Sequence, residues 1–173
     1  VYSLKDVDLA GIEIVEDGKT FEHNALIKAR TIAKKTKLIA ISDDSGLEVD
    51  ALGKKPGVYS ARYAVEHATD EENRKKLLKA MQNVPMSKRN ARFVSAIAVV
   101  FPDGKEFVVR GICEGMIGFE EKGKNGFGYD SLFIIKGYDK TFGEIPSVIK
   151  NSISHRANAL KLMKQEFIKR VVK

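Results

Sequence analysis

Apolar and polar positions along the chain fall into short, distinct periods that predict its elements. Residues 12–15 are an apolar run closed by Glu16 and the turn Asp17-Gly18, which predicts a first strand. Phe21, Ala25, Ala29, Ile32 and Ala33 recur at helical spacing behind Thr20, a natural N-cap, so a helix is predicted to about Lys35. Residues 38–41 are apolar again and stop at the polar cluster Ser42, Asp43, Asp44, Ser45 and Gly46. Strand, helix and strand in this order predict a βαβ unit with parallel strands and a right-handed crossover. Glu16 and Asp44 would then both follow C-terminal strand ends, the edge at which open α/β sheets bind ligands.

Farther on, Thr69 and Glu72 form a capping box that opens a charged helix through about Met81. Residues 91–101, the turn Pro102-Asp103-Gly104 and residues 105–113 predict a β-hairpin. Another apolar strand, residues 132–135, follows the Gly-rich stretch 123–128, and the chain ends in an amphipathic helix with Leu160, Met163, Phe167 and Val171 on its expected core face. Mixed parallel and antiparallel strands flanked by helices give an α/β or α+β class.

Composition narrows the possibilities. With 173 residues, 43% hydrophobic and 31% charged, the chain suits one compact domain or two joined lobes. No apolar run approaches the ~18 residues of a membrane span and no signal peptide is visible, so a soluble chain is expected. The single cysteine, Cys113, has no zinc-type spacing beside it and points to a reducing cytoplasm. The net charge of +7 arises entirely in residues 87–173. That asymmetry fits a polyphosphate ligand, nucleic acid or acidic lipid, or simply a solvated face of the last helix.

Three clusters could carry chemistry. Adjacent Asp43 and Asp44 after a buried strand need a cation to offset repulsion and desolvation, and Mg²⁺ suits one or two carboxylates, with Glu16 on the same edge as a second ligand. A turn using Asp and Ser for local hydrogen bonds is the competing explanation. The run Gly126-Phe127-Gly128-Tyr129-Asp130 offers aromatic faces for base stacking, or else a tight loop with core aromatics. Lys150, His155 and Arg156 make a candidate clamp for phosphate or a carbonyl oxygen near a helix start.

Together the segments Glu16-Asp17-Gly18-Lys19-Thr20-Phe21, Asn24 to Arg30, Asp43-Asp44-Ser45-Gly46-Leu47, Pro56 to Tyr63, Gly126 to Asp130, Lys140-Thr141-Phe142 and Ser154-His155-Arg156 resemble the inosine triphosphate pyrophosphatase family. The resemblance covers nearly the whole chain. It implies an elongated mixed sheet flanked by helices in two lobes, a nucleotide groove between them, a homodimer, and Mg²⁺-dependent hydrolysis of ITP, dITP or XTP to the monophosphate and pyrophosphate. Glu16 and Asp44 would hold Mg²⁺, with Asp44 accepting a proton from the attacking water. Ser45 would contact the nucleotide, residues Phe127, Gly128, Tyr129 and Asp130 would line the base pocket, and Lys150, His155 and Arg156 would meet phosphate and the purine 6-oxo group. A non-catalytic nucleotide-binding or dimerising relative is the alternative; nucleic acid and membrane are not expected partners.

Two departures from the family pattern stand out. Ser131 occupies the place after Asp130 where the family usually has Pro. The family's opening strand and Thr-x-Asn-x-x-Lys loop are not found, so a single N-terminally incomplete domain, an unpaired sheet edge and weak or absent hydrolysis are expected of these 173 residues.

Overall fold

The computed structural model describes residues 1–171. Four strands, β1 (Ala40–Val49), β2 (Asn90–Val100), β3 (Glu106–Ile117) and β4 (Phe133–Ile135), form a sheet in sequential order, and every pairing among them is antiparallel. Helix α1 (Phe21–Thr36) covers one face, while α4 (His155–Val171) packs on β2 and β3 and joins the short α3 (Ser147–Ile153); α2 (Asp70–Ala80) contributes to a second core. The mixed α/β class is as expected, but the parallel βαβ unit is not formed. Residues 12–15 have no strand partner among the described residues and run as irregular chain before α1. Ile12 and Ile14 are half-buried, whereas Glu13 and Val15 are exposed, so the segment lies against the molecule by one side without joining the sheet.

The second predicted strand begins near where expected and runs much farther. Ser42 to Gly46, read as a polar turn, lie in the middle of the ten-residue β1 and are paired to Ala98 through Val94. Gly46 tolerates the docking of the 3₁₀ turn Gly57–Arg62, whose Ser60 Oγ accepts the Leu47 N–H at 2.8 Å. A Cβ at position 46 would lie 2.5 Å from that oxygen.

Helix α1 starts where Thr20 accepts the His23 N–H and ends at Lys37 in the left-handed region. Its inner face is Phe21, Asn24, Ala25, Ala29 and Ala33, and the small alanines let it lie close over Val94, Ala96, Ala98 and Val100 of β2. The Thr69–Glu72 capping box is formed at the start of α2, and Leu77 and Met81 bury into the second core with Leu47, Val49, Phe93, Phe133 and Phe142. The end of α2 is tied down by Arg89, which is 1% exposed and donates to the carbonyls of Met81, Val84, Ile117 and Gly118.

The predicted hairpin is β2–β3. Helix α4 crosses β3 at Gly111, where a side chain would strike the α4 backbone at His155 and Ala159. The expected core face of α4 is partly corrected: Phe167 stacks on Phe101 and Met163 is half-buried, whereas Leu160 and Val171 are largely exposed. His155 and Ala159 are the residues that bury, because the crossing at Gly111 centres the contact on the first turns of the helix.

Candidate active site

Because side chains alternate along a strand, Asp43 and Asp44 point to opposite faces of β1. Asp44 faces α1. Its Oδ2 accepts from Asn24 Nδ2 at 3.2 Å and its Oδ1 lies 3.3 Å from Lys28 Nζ, which also contacts Glu16 Oε2 at 2.8 Å. The buried Asn24 is oriented by the Gly18 N–H, which donates to its Oδ1. Glu16 and Asp44 therefore meet across the Lys28 ammonium, not at two parallel strand ends. Burial pushes the Asp44 carboxyl above its usual range, against the pull of Lys28 and Asn24. Among the described residues no group of three or more His, Cys, Asp or Glu is gathered in metal-ligand fashion. A pair of hard oxygen donors already bridged by a cation nevertheless suits an ion that shares one or two carboxylates with waters and phosphate oxygens.

Asp43 faces α4. Its Oδ2 accepts from Arg156 Nε at 3.0 Å, from Arg156 Nη2 at 2.8 Å and from Ser45 Oγ at 3.2 Å. Burial raises the Asp43 carboxyl, but the Arg156 contacts outweigh it and the group sits below its ordinary value. The repulsion expected between neighbouring aspartates is thus relieved by two different cations, one per face.

Beside this pair lies a cavity of about 180 Å³ between β1, the loop of residues 126–130 and the start of α4. Ser45, Phe127, Gly128, Tyr129, Asp130, Lys150, His155 and Arg156, all singled out in the sequence, border it. Their roles differ. Phe127 is 67% exposed and presents its ring, with Lys150 Nζ 4.7 Å from the ring centroid. Tyr129 is buried, donates its hydroxyl to the Ser60 carbonyl at 2.7 Å and has its phenol pushed upward by burial, so its ring is a wall fixed in the core. Asp130, also buried, accepts from the Phe127 N–H and from Lys150, which organises the loop.

His155 is 7% exposed and stacks on Phe93 with ring centroids 5.0 Å apart. Burial, with Arg156 and Lys150 nearby, lowers its pKa to about 3, so the imidazole is neutral. Its Nδ1 has no hydrogen-bond partner among the described residues.

Sequence reasoning gave no role to Asn24, Lys28, Ser60, Asp70 or Arg74. Asn24 and Lys28 were detectable: they are four residues apart and interrupt the apolar stripe of α1 on the side that meets β1. Asp70 and Arg74 belong to a charged helix face with no local signal; only the fold brings them to the loop, where Asp70 Oδ2 accepts the Gly128 N–H and Arg74 Nη1 donates to the Gly128 carbonyl.

Among the described residues no helix is long and apolar enough to cross a membrane. A dITP/XTP pyrophosphatase of Bacillus licheniformis is 53% identical over 161 residues, covering 93% of this chain and 82% of that protein. The protein of the same name from Bacillus subtilis is 48% identical over 162 residues, 92% of this chain and 82% of its own length. Among solved structures, the Ham1 protein of Staphylococcus aureus matches with a TM-score of 0.88 and 41% identity, over 96% of this chain and 84% of that one. The model of the Ham1 family itself matches residues 1–166. A likeness this extensive in both sequence and backbone makes the chain a member of the Ham1 family.

Proposed function

We propose that the chain hydrolyses non-canonical purine nucleoside triphosphates, dITP, ITP and XTP, to the monophosphate and pyrophosphate, a house-cleaning reaction on the nucleotide pool. The observation that carries this reading is the two-sided strand β1, with a bridged carboxylate pair on one face and an aromatic pocket with a neutral imidazole and a guanidinium on the other. Relatives named dITP/XTP pyrophosphatase at 48–53% identity support it.

Glu16 and Asp44 are the residues that would hold a divalent ion such as Mg²⁺. When bound, it supplies charge neutralisation for the phosphates and a more acidic water. Asp44, made more basic by its burial, takes the proton from the attacking water. Lys28 stands between the two carboxylates and is within reach of the phosphate charge they would share.

On the other face, Phe127 stacks on the purine and Ser45 contacts the nucleotide, while Tyr129, Gly128 and Asp130 shape the pocket. Arg156, oriented by Asp43, donates to a 6-oxo oxygen, and His155 and Lys150 complete the polar lining. Adenine would leave those donors facing a 6-amino group, and a site built to hydrogen-bond an oxo group disfavours a base that leaves its donors unpaired. The reading includes a homodimer and a cytoplasmic setting, with a nucleotide and neither nucleic acid nor membrane as the partner.

The test is pyrophosphate release from dITP and XTP with Mg²⁺, set against ATP and GTP. Asp44→Asn is expected to lower kcat by about a hundredfold or more, the scale of a lost general base. Normal turnover in Asp44→Asn removes the proposed base; saturable ITP binding without product favours a binding protein.

A further inference from the structure

The exposed Phe127 ring lies on a backbone that has little rigidity of its own. Gly126 and Gly128, on either side of it, both occupy the left-handed region, with φ of +78° and +59°. What fixes the loop comes from outside. Asp130 holds its front through the Phe127 N–H at 2.9 Å, and Tyr129 anchors its rear through the hydroxyl bond to Ser60. Between these anchors, both backbone polar groups of Gly128 are taken by one helix. Asp70 Oδ2 accepts the Gly128 N–H at 2.7 Å, and Arg74 Nη1 donates to the Gly128 carbonyl at 2.9 Å.

Helix α2 is a firm base for such a clamp. Its capping box closes the N-terminus, and the buried Asn73 ties it to the preceding segment through Ala61 O and Ala64 N. Arg74 is held in turn by Glu121 Oε2 at 2.9 Å, and Glu121 accepts the Ser131 hydroxyl at 3.1 Å. The serine that departs from the family pattern is thus the end of a chain running Ser131, Glu121, Arg74, Gly128.

We propose that Asp70 and Arg74, one turn apart on α2, are positioning residues that hold the Gly128 peptide and so set how tightly the neighbouring Phe127 ring receives a purine. This rests on the proposed nucleotide function and deepens it. Neither residue touches Glu16 or Asp44, which lie on the other face of β1, so the clamp acts on affinity and leaves the chemical step alone.

The experiment combines two readouts on the full chain carrying Asp70→Ala, Asp70→Asn or Arg74→Met. The first is amide hydrogen exchange of Gly128 without nucleotide, which reads the clamp whatever the activity. Asp70→Ala is expected to speed it about tenfold, while Asp70→Asn, which keeps an acceptor oxygen, restores most of the protection. The second is dITP turnover, where Asp70→Ala and Arg74→Met are expected to raise KM about five- to tenfold, the scale of the net contribution of one hydrogen bond, with kcat within about twofold. Unchanged Gly128 exchange overturns the proposal, as does unchanged KM or a fall in kcat that only follows a lower Tm. If the unaltered chain releases no pyrophosphate from any purine triphosphate, the functional reading fails, and the clamp then stands or falls on Gly128 exchange alone.

Discussion

Acid should weaken the fold through one residue whose contribution can be isolated. His155 is packed on Phe93 beside Arg156 and Lys150, and its pKa falls from 6.5 to about 3 on folding. The unfolded chain therefore takes up a proton near pH 6.5 that the folded chain refuses until near pH 3, and stability falls as pH drops through that window. At pH 5 linkage between these two values gives a loss of about 2 kcal/mol relative to pH 7.5, where both states are neutral. Carboxylates also titrate on the acid side, so the measurement is a difference. Urea unfolding of the unaltered chain and of His155→Gln is compared at pH 7.5 and pH 5. At pH 7.5 the variant is less stable by whatever stacking and packing it loses. At pH 5 that gap should shrink by about 2 kcal/mol, because the variant has no imidazole to charge. The imidazole carbon-bound proton resonance of the unaltered chain should in parallel stay flat from pH 7.5 to 4.5. A gap constant to within about 0.5 kcal/mol, or an imidazole that titrates near 6.5, would refute the argument.

Three further outcomes follow from the same geometry. In Gly111→Ala the new Cβ would sit 2.2 Å from Ala159 N, where ordinary contact begins at 3.4 Å, so α4 must retreat by about 1 Å; urea unfolding should show a loss of about 2–3 kcal/mol, and KM for dITP should rise as Arg156 leaves Asp43. Lys28→Met removes a cation that lowers the Asp44 pKa against the dominant upward push of burial, so the acid limb of the kcat/KM profile should move to higher pH, while Lys28→Arg should hold it. Arg89→Met strips the donors from four buried or half-buried carbonyls and should lower the unfolding free energy by about 3–5 kcal/mol, read from the shift of the denaturation midpoint.

The elements legible in the sequence are those whose signals are local. Thr20 and the alanine spacing place α1, Thr69 with Glu72 places α2, and the Pro-Asp-Gly turn places the hairpin. The sequence reads strand β1 as ending at Ile41 because Asp43, Asp44 and Gly46 are poor strand formers by propensity. Their strand conformation depends on partners far away in the chain, Arg156 for Asp43 and Lys28 for Asp44, and on the turn that packs against Gly46. The same distance explains the site. The residue types around the pocket could be read from motifs, whereas the division of Asp43 and Asp44 between two faces, the burial of Tyr129 and the grip of α2 on Gly128 exist only once the sheet is assembled. The α4 stripe was placed by period alone, which does not reveal that the helix is seated through Gly111.

The opposite orientation of two consecutive aspartates makes the alignment of β1 against β2 a chemical variable as well as a structural one. Sliding β1 by a single residue would turn every side chain to the opposite face, so that Asp43 faced α1 and Asp44 faced α4, and only one of the two carboxylates would stand where the other had been. The slip would also turn Leu47 and Val49 out of the second core and bring a side chain to the place that only Gly46 fits, so packing holds the register. The proposed proton acceptor and the residue that holds Arg156 are thus kept on their own faces by the same alignment that fills the core. Insertions or deletions within residues 40–43 are therefore a more severe threat to this protein's chemistry than substitutions of comparable size, and any transfer of the strand to another scaffold must carry α1 and α4 with it as a single three-layer unit.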